Sequence, residues 1–496
     1  MTMISNFSIA RVGGVLLSVT APLSLLSAQP LSAQSITAAP DGTGTIIQHQ
    51  GQTYHIQGGT QAGANLFHSF QEFGLSSGEI ANFLSNPSIT NIFGRVTGGN
   101  VSIIDGLIQA NPNLYLMNPA GMVFGANAQL NVGGDFFATT ADQICFEGGC
   151  FNAIGVNDDN ALLGNPTTLG FLQAQPGGLI NAGTLEVLKG KSIHLSGGTV
   201  VNLGQILAPG GIATVAAISG EQRVLLNQSG NLLSLEVTEA VLTEGIDPLA
   251  LPALLTGVVS ILPEDTPTTP PTELQATNMT QGNVVITGTI QGEQVDLYAT
   301  GQVIPTDPNL VQGDTTVVRF PGTNSSMTLS IIDAHADNAQ ALLFGGAPGT
   351  IATIVQDSEN GIAAVTETLN RIDTPLAGMS ITAEGNEGNF WLGNTWITHE
   401  TIQDYQAQLA EWSSAFTASA DLLLYSCFTA LGATGEALMA SLATGTGLDV
   451  AASTNATGSA NHSGDWLLES STGSPVPVAK LAINASPVAP KAVKQL

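Results

Sequence analysis

Short alternations of apolar and polar residues fill the chain from residue 35 to about residue 237, with glycine and asparagine between them. Two examples are TIIQHQGQTYHIQGG and SIHLSGGTVVNLGQILAPGG. A period of two residues is typical of β-strands with one buried face. A repeat is also visible, because INAGTL at 180–185 is echoed by VNLGQI at 201–206. This spacing of about 21 residues suits one coil of a β-solenoid.

The same texture returns at 283–303, NVVITGTIQGEQVDLYATGQV, and predicts a further β-solenoid fragment over 282–323. The segment before it, 238–281, contains LPEDTPTTPPTEL, whose proline and threonine content is typical of a connector without a packed core. An apolar stretch inside this connector, 248–262, is too short to cross a bilayer and contains Pro252.

The pattern changes after about residue 323. Short apolar runs (LSIIDAH, TIATIVQ, GMSITAE and DLLLYSC) alternate with helical stretches at 357–371, 402–416 and 435–442. Strands that alternate with helices favour βαβ units and a mostly parallel sheet. We therefore expect a separate α/β domain over 324–472, followed by a disordered tail at 473–496.

The N-terminus has the pattern of a signal peptide. Arg11 precedes an apolar segment at 12–26 that is too short for a membrane span, and small-residue cleavage motifs follow at 26–28 and 31–33. We predict a signal peptide at 1–33, cut after Ala33. Cleavage after Ala28 and a retained membrane anchor are the alternatives.

Composition and charge argue against nucleic-acid binding and against a bound metal. The chain has 38 acidic and 10 basic residues, a net charge of -28, so nucleic acid is not an expected partner. The acids are scattered without a calcium-binding repeat, and we expect no metal and no cofactor. Cys145 and Cys150, in CFEGGC, are close enough to form a disulfide in an oxidising compartment. Cys427 remains unpaired.

The segment NPAG at 118–121 predicts a tight turn. Proline presets its φ angle and the following Gly121 accepts a φ that other residues resist, so NPAG is expected to reverse a strand between two alternating flanks. The inward positions of those flanks are expected to be Leu114, Leu116, Met122 and Phe124.

Three ordered motifs give a resemblance: NLFHSF at 65–70, SNPSITNIFGRVTGG at 85–99 and NPAGMVFG at 118–125. With them, residues 34–237 resemble the filamentous-haemagglutinin-type N-terminal domain of two-partner secretion exoproteins. Some positions depart from the family pattern: Ser88 and Ile89 replace Asn and Leu, Ala120 replaces Asn and Met122 replaces Ile.

The resemblance implies a right-handed parallel β-helix. It also implies a partner, an outer-membrane β-barrel transporter whose polypeptide-transport-associated domains recognise the chain in the periplasm of a Gram-negative cell, and a secreted or cell-surface location. The turn formers or recognition residues that it implies are Asn65, Asn86, Pro87, Asn118, Pro119 and Gly121.

Residues 328–472 resemble an uncharacterised domain of large secreted repeat proteins and adhesins, through IIDAHADNAQALLFG, FWLGNTWI, DLLLYSCFTALGATGEAL, GLDVAAS and SGDWLLE. That arrangement is similar to caspase-like cysteine peptidases, in which a histidine is the base for a thiolate. Here Cys427 ends a strand, but Glu384 stands where the histidine is expected. A neighbouring carboxylate raises a thiol pKa.

No other histidine of this domain (His335, His399 or His462) is expected at a matching strand end. We therefore predict a degenerate, binding-only domain with Cys427 as a buried small residue, in an exported, non-enzymatic protein with a role in adhesion or cell-surface interaction. The alternatives are a secreted cysteine hydrolase that uses Cys427, and a truncated adhesin relic.

Overall fold

The protein is described here by a computed structural model, which covers residues 35–226, 234–236, 281–321, 326–458 and 464–473. The predicted signal peptide, nearly all of the predicted connector and the predicted tail after residue 473 lie outside these residues, as does His462.

Short strands make up the described chain as far as residue 319. Before the connector they are β1 (Thr37–Ala38), β2 (Thr45–Gln50), β3 (Thr53–Gly58), β4 (Thr60–Ala62), β5 (Asn65–Glu72), β6 (Ile80–Phe83), β7 (Asn91–Val96), β8 (Ser102–Ile104), β9 (Leu107–Ala110), β10 (Asn113–Met117), β11 (Met122–Phe124), β12 (Gln129–Val132), β13 (Phe136–Thr139), β14 (Gln143–Phe146), β15 (Gly149–Asn152), β16 (Thr168–Phe171), β17 (Leu179–Asn181), β18 (Thr184–Glu186), β19 (Ile193–Gly197), β20 (Val200–Asn202), β21 (Gln205–Ala217), β22 (Gln222–Leu225) and β23 (Ser234–Glu236). After it come β24 (Val284–Ile286), β25 (Thr289–Ala299), β26 (Val303–Pro305) and β27 (Val311–Arg319).

These strands stack into three parallel faces. Face one runs β3, β6, β9, β12, β18 and the first parts of β21 and β25. Face two runs β5, β7, β10, β13, β19, the second parts of β21 and β25, and β27. Face three runs β8, β11, β17, β20, β24 and β26. Each coil supplies one strand to each face, so the chain forms a parallel β-helix.

The sequence repeat corresponds to one coil. Asn181 lies opposite Asn202 on face three, and Leu185 lies opposite Ile206 on face one. The stack then continues across the connector, because Val284 lies directly opposite Val200. The predicted further solenoid fragment is therefore not a separate unit but the continuation of the same β-helix.

Inward-pointing apolar residues fill the β-helix. The four flank positions of the NPAG turn (Leu114, Leu116, Met122 and Phe124) are all at most 3% exposed. Outward residues of face two form an aromatic ladder through Phe67, Phe93, Tyr115, Phe137 and His194, whose successive ring centroids are 4.1–5.2 Å apart. The alternating pattern thus predicts the inner core, but part of the outer face is buried as well.

An antiparallel sheet covers that outer face. It contains β14, β15, β16, β22 and β23. The rings of Phe146 and Phe151 pack on Phe67, and Phe146 also packs on Phe93. At the N-terminal end, β1 and β4 pair antiparallel with β5, and β2 pairs antiparallel with β3. These antiparallel pairings cover an end of the stack that would otherwise expose unpaired backbone.

Strands and helices alternate in the remaining part. The strands are β28 (Thr328–Asp333), β29 (Thr350–Val355), β30 (Leu376–Thr382), β31 (Gly385–Asn386), β32 (Asn389–Leu392), β33 (Thr395–Thr398), β34 (Phe416–Tyr425), β35 (Asp449–Ala452) and β36 (Ser470–Ser471). The α-helices are α1 (Ala339–Phe344), α2 (Gly361–Asn370), α3 (Gln406–Trp412) and α4 (Gly432–Thr446).

The main sheet of this part has the order β29, β28, β30, β34, β35, and these neighbours are parallel. The sequence led us to expect a separate domain. Instead, this sheet is continuous with the β-helix, because β27 pairs antiparallel with β29. A buried ion pair between Arg371 and Asp296, 2.9 Å apart, also joins the two parts. Within the described residues, no helix is long and apolar enough to cross a bilayer.

Candidate functional site

The Asn86–Pro87 turn is an exposed corner of the β-helix, between β6 on face one and β7 on face two. The side-chain oxygen of Asn86 accepts hydrogen bonds from the backbone N–H and the hydroxyl of Ser88. The backbone N–H of Ile89 donates to the carbonyl of Asn86 at 3.1 Å. This self-contained turn presents Pro87 to solvent, where a partner has access to it.

The Asn118–Pro119 turn is a buried corner between β10 on face two and β11 on face three. Asn118 is 1% exposed, and its Nδ2 donates to the carbonyl of Asn100 and to Ser102 Oγ, both at 2.9 Å. Its Oδ1 accepts from the N–H of Ala120 at 3.0 Å. The expected strand reversal is wrong: NPAG turns the chain from one face to the next, with Gly121 at a φ of 118°.

The next coil covers this corner. The N–H of Gly177 donates to the carbonyl of Pro119, and the N–H of Met122 donates to the carbonyl of Gly178. A Cβ atom on Gly177 would lie 2.5 Å from the Pro119 oxygen, so the two segments touch through backbone. In the folded domain, Asn118, Pro119 and Gly121 are therefore inaccessible to a partner.

Asn65 is also buried, at 1% exposed, and belongs to a ladder of asparagines. Its Oδ1 accepts from Asn91 Nδ2, and Asn113 Nδ2 donates in turn to Asn91 Oδ1, each at 2.9 Å. The Nδ2 of Asn65 donates to the carbonyls of Leu162 and Gly164, which follow the β14–β15 hairpin of the covering sheet. The six sequence-predicted residues thus do not form one patch. Asn91 and Asn113 were not among the predicted site residues, although each is the first residue of its strand, one coil after the previous asparagine.

Cys145 and Cys150 form a disulfide across the β14–β15 hairpin, where they lie directly opposite each other. Cys145 is 7% exposed, so this hairpin is part of the covering sheet and not a peripheral surface loop. The third cysteine, Cys427, has a free thiol.

Three strands of the C-terminal sheet bring polar residues to one edge. His335 lies two residues after β28, Glu384 two residues after β30, and Cys427 two residues after β34. Since neighbouring parallel strands end on the same side of a sheet, these three residues share its carboxyl edge. The expectation that His335 is not at a matching strand end is therefore wrong. It failed because the sequence does not reveal that β28 is next to β30.

His335 is paired with a buried carboxylate. Its Nδ1 lies 2.8 Å from Asp333 Oδ1, and Asp333 Oδ2 accepts a hydrogen bond from the N–H of Gly393. Partial burial raises the pKa of Glu384, the carboxylates of Asp337 and Asp333 raise it further, and His335 lowers it. This edge is therefore rich in carboxylates that repel one another.

Among the described residues, the Cys427 thiol forms no hydrogen bond with a histidine or a carboxylate. Its Sγ lies 3.7 Å from the carbonyl of Thr457, and Phe428 beside it has a φ of 57°. Ser426, next to it, is 2% exposed and its hydroxyl has no partner among the described residues. The edge has a thiol, an Asp–His pair and a carboxylate, but within the described ranges no hydrogen bond joins the thiol to a base that would activate it. In the part of the chain that the structure describes, no cluster of metal-ligating side chains is present.

Two family models match the chain. Residues 33–247 match the TPS secretion domain, and residues 329–491 match a domain of unknown function, DUF4347. Residues 33–247 are a TPS secretion domain. This part of the chain therefore belongs to the family of TPS secretion domains. The coils before the connector and both Asn-Pro corners lie within this secretion domain, and the stack continues beyond it in β24–β27.

Individual relatives cover less of the chain or are more distant. A stretch of 50 residues, 10% of this chain, is 50% identical to the heme/hemopexin-binding protein of Haemophilus influenzae and covers 5% of that protein. The HMW1 secretion domain from the same species aligns over 79% of this chain and 77% of its own, at 15% identity and a TM-score of 0.35. The filamentous hemagglutinin secretion domain aligns over 60% and 88%, at 14% identity and a TM-score of 0.29.

Proposed function

We propose that an outer-membrane β-barrel transporter exports this protein from the periplasm of a Gram-negative cell, through recognition of the secretion domain by the transporter's polypeptide-transport-associated domains. The exported protein then acts outside the cell, in adhesion or cell-surface interaction. The observation that carries the proposal is the match of residues 33–247 to the TPS secretion domain. We also propose that the coils of this β-helix wind in the right-handed sense.

Burial of the motif residues supports recognition before folding. Asn65 and Asn118 are 1% exposed in the folded domain, and Pro119 is buried. A transporter therefore reaches these side chains while the chain is still unfolded, by adding an extended strand to its own sheet. Asn86 and Pro87 are exposed in the folded domain and can be reached after folding as well.

The test is capture of the mature chain by the periplasmic region of its cognate transporter. The chain is presented either from urea by rapid dilution or after complete refolding. We expect capture of the diluted chain and weak capture of the refolded chain. Asn118→Ala and Asn86→Ala are expected to reduce capture of the diluted chain.

Asn131→Ala is the matched control, because Asn131 is an exposed asparagine of β12 on the same stack. Equal capture of all three variants removes the recognition role of Asn86 and Asn118. Failure to capture the unaltered chain in either form contradicts the proposed transporter itself.

For residues 324–472 we propose a binding-only domain with a degenerate caspase-like α/β fold. The supporting observation is that the Cys427 thiol contacts the carbonyl of Thr457 and no histidine among the described residues. A cysteine that acts as a nucleophile is activated by an adjacent base, which this contact does not supply.

The alternative, a cysteine hydrolase, is tested by alkylation of Cys427 with iodoacetamide at pH 7, since Cys427 is the free cysteine. We expect the native chain to react no faster than the chain unfolded in urea. Selective fast labelling of native Cys427, abolished by His335→Ala, would support the hydrolase and contradict the binding-only domain.

A further inference from the structure

Two tryptophans lie on the outer face of the small antiparallel sheet formed by β31, β32 and β33. Along β32 and β33 the buried residues are Phe390, Leu392 and Ile397, each at most 1% exposed. Between them, Trp391 and Trp396 are 39% and 37% exposed and lie directly opposite each other. Their ring centroids are 4.7 Å apart and the planes are inclined at 64°, so the rings form two walls of an open corner.

A carboxylate lies beside this corner. The N–H of Trp391 donates to the carbonyl of Glu384 at 2.9 Å, which places Glu384, the residue just before β31, next to Trp391. The row across the sheet is therefore Glu384, Trp391, Trp396. The ring of His335 lies 6.3 Å from that of Trp391, and Asp337 follows it in the same loop.

Glu384 and Asp337 bring two carboxylates to this corner. Among the described residues, neither Glu384 nor Asp337 accepts a side-chain hydrogen bond or forms an ion pair, and both are exposed. Partial burial raises the pKa of Glu384, the carboxylates of Asp337 and Asp333 raise it further by repulsion, and His335 lowers it. A positive charge placed here is attracted by several carboxylates at once.

A purely structural role explains only part of this arrangement. Cross-strand aromatic pairs stabilise a hairpin. That role requires neither the exposed Glu384 beside the pair nor the repulsion between it and the loop carboxylates. The faces of tryptophan rings attract cations, and a carboxylate accepts hydrogen bonds from an ammonium group.

We propose that Trp391, Trp396 and Glu384 bind a lysine side chain in a basic segment of a partner protein. The methylene groups of the lysine lie against the two indole rings, and its ammonium group donates hydrogen bonds to the Glu384 carboxylate. The net charge of -28 attracts a basic partner at long range, and the aromatic corner then selects the ammonium group. This inference is independent of the export route proposed above.

The test is a calorimetric titration of the mature protein with the peptide acetyl-Gly-Lys-Gly-Lys-Gly-amide at low ionic strength. The same peptide with acetylated lysines keeps the length and loses the charges. We expect binding of the first peptide and none of the second. Glu384→Gln and Trp391→Ala are expected to weaken binding roughly fivefold each, the value for an exposed cation–π contact of about 1 kcal/mol.

Two control variants distinguish a site from general attraction. Glu186→Gln removes the same charge from an exposed position on the β-helix, and Trp466→Phe alters another exposed tryptophan. Both are expected to bind as the unaltered protein does. Equal weakening by Glu186→Gln and Glu384→Gln overturns the proposal, as does binding of the acetylated peptide or no binding of the first peptide. Since Glu384 is exposed, its variant tests the site even if Trp391→Ala fails to fold.

Discussion

At the scale of single residues, Asn118 and Asn86 occupy similar Asn-Pro turns but have different energetic roles. Asn118→Ala leaves the carbonyl of Asn100, the Ser102 hydroxyl and the N–H of Ala120 without their side-chain partner in a buried corner. We expect this change to lower the free energy of unfolding by about 2–3 kcal/mol. Urea unfolding of the mature chain, followed by circular dichroism, measures it.

Asn86→Ala is the comparison, because its turn is exposed and water replaces the lost hydrogen bonds. We expect a loss of under about 1 kcal/mol. Equal losses for the two variants would contradict the distinction between a buried and an exposed corner.

His194 makes stability depend on pH. Burial lowers its pKa to about 4, whereas the unfolded chain titrates near 6.5. As the pH falls from 6.5 towards 4, the unfolded state takes up a proton that the folded state does not, so the folded state loses stability. The loss at pH 5 is roughly 2 kcal/mol for one such histidine.

His194→Phe extends the aromatic ladder with a ring that does not titrate. We expect a smaller loss of stability between pH 7 and pH 5 in this variant than in the unaltered protein, measured by urea unfolding at both values. His68, whose pKa burial also lowers to about 4, keeps part of the dependence. An unchanged pH dependence would show that His194 is protonated or exposed in the folded protein.

At the scale of elements, the β14–β15 hairpin is fastened to the β-helix by aromatic packing and closed by the Cys145–Cys150 disulfide. The disulfide closes a loop of a few residues, so removing it through Cys145→Ser and Cys150→Ser is expected to cost about 2 kcal/mol. Thermal unfolding of the oxidised protein and the double variant compares them. A loss no larger than that of an exposed serine substitution would mean that the hairpin is held by packing alone.

The sequence predicts local elements better than their partners. Period-two alternation and the repeat at 180–185 and 201–206 are local, so the strands, the coil length and the inward positions of Leu114 and Phe124 could be predicted. The pairing of β20 with β24 could not, because it joins segments on either side of the connector. Register across such a distance depends on which edge is free when the chain returns, not on a nearby pattern.

The same limit applies to the candidate site. A turn at NPAG follows from its residues, but burial of that turn depends on Gly177 in a later coil. His335 reaches the carboxyl edge only because β28 pairs with β30. Trp391 and Trp396 face solvent because their neighbours on β32 and β33 are buried beneath the sheet. Each of these facts is a tertiary contact without a local signature.

At the scale of the whole molecule, the β-helix and the C-terminal sheet are joined by β27, β29 and the Arg371–Asp296 ion pair. Burial raises the pKa of Asp296, whereas the neighbouring Arg371 lowers it. The Asp296 carboxylate therefore depends on Arg371 to stay charged. Arg371→Met leaves the buried Asp296 carboxylate without its partner. We expect this change to lower the free energy of unfolding by about 3 kcal/mol or more.

Replacing both partners, Arg371→Met with Asp296→Leu, removes the stranded charge and is expected to cost less than the single change. Thermal unfolding of both variants provides the comparison. A single variant that unfolds at the temperature of the unaltered protein would indicate that the pair does not fasten the two parts.

We propose that the coils of residues 33–247 are an export signal that an outer-membrane transporter recognises. Export is measured as the amount of this protein in the medium and on the surface of cells that produce it with and without its cognate transporter. We expect the protein outside the cell only when that transporter is present. Equal amounts outside without it, or retention inside cells with a functional transporter, would show that the coils are not such a signal.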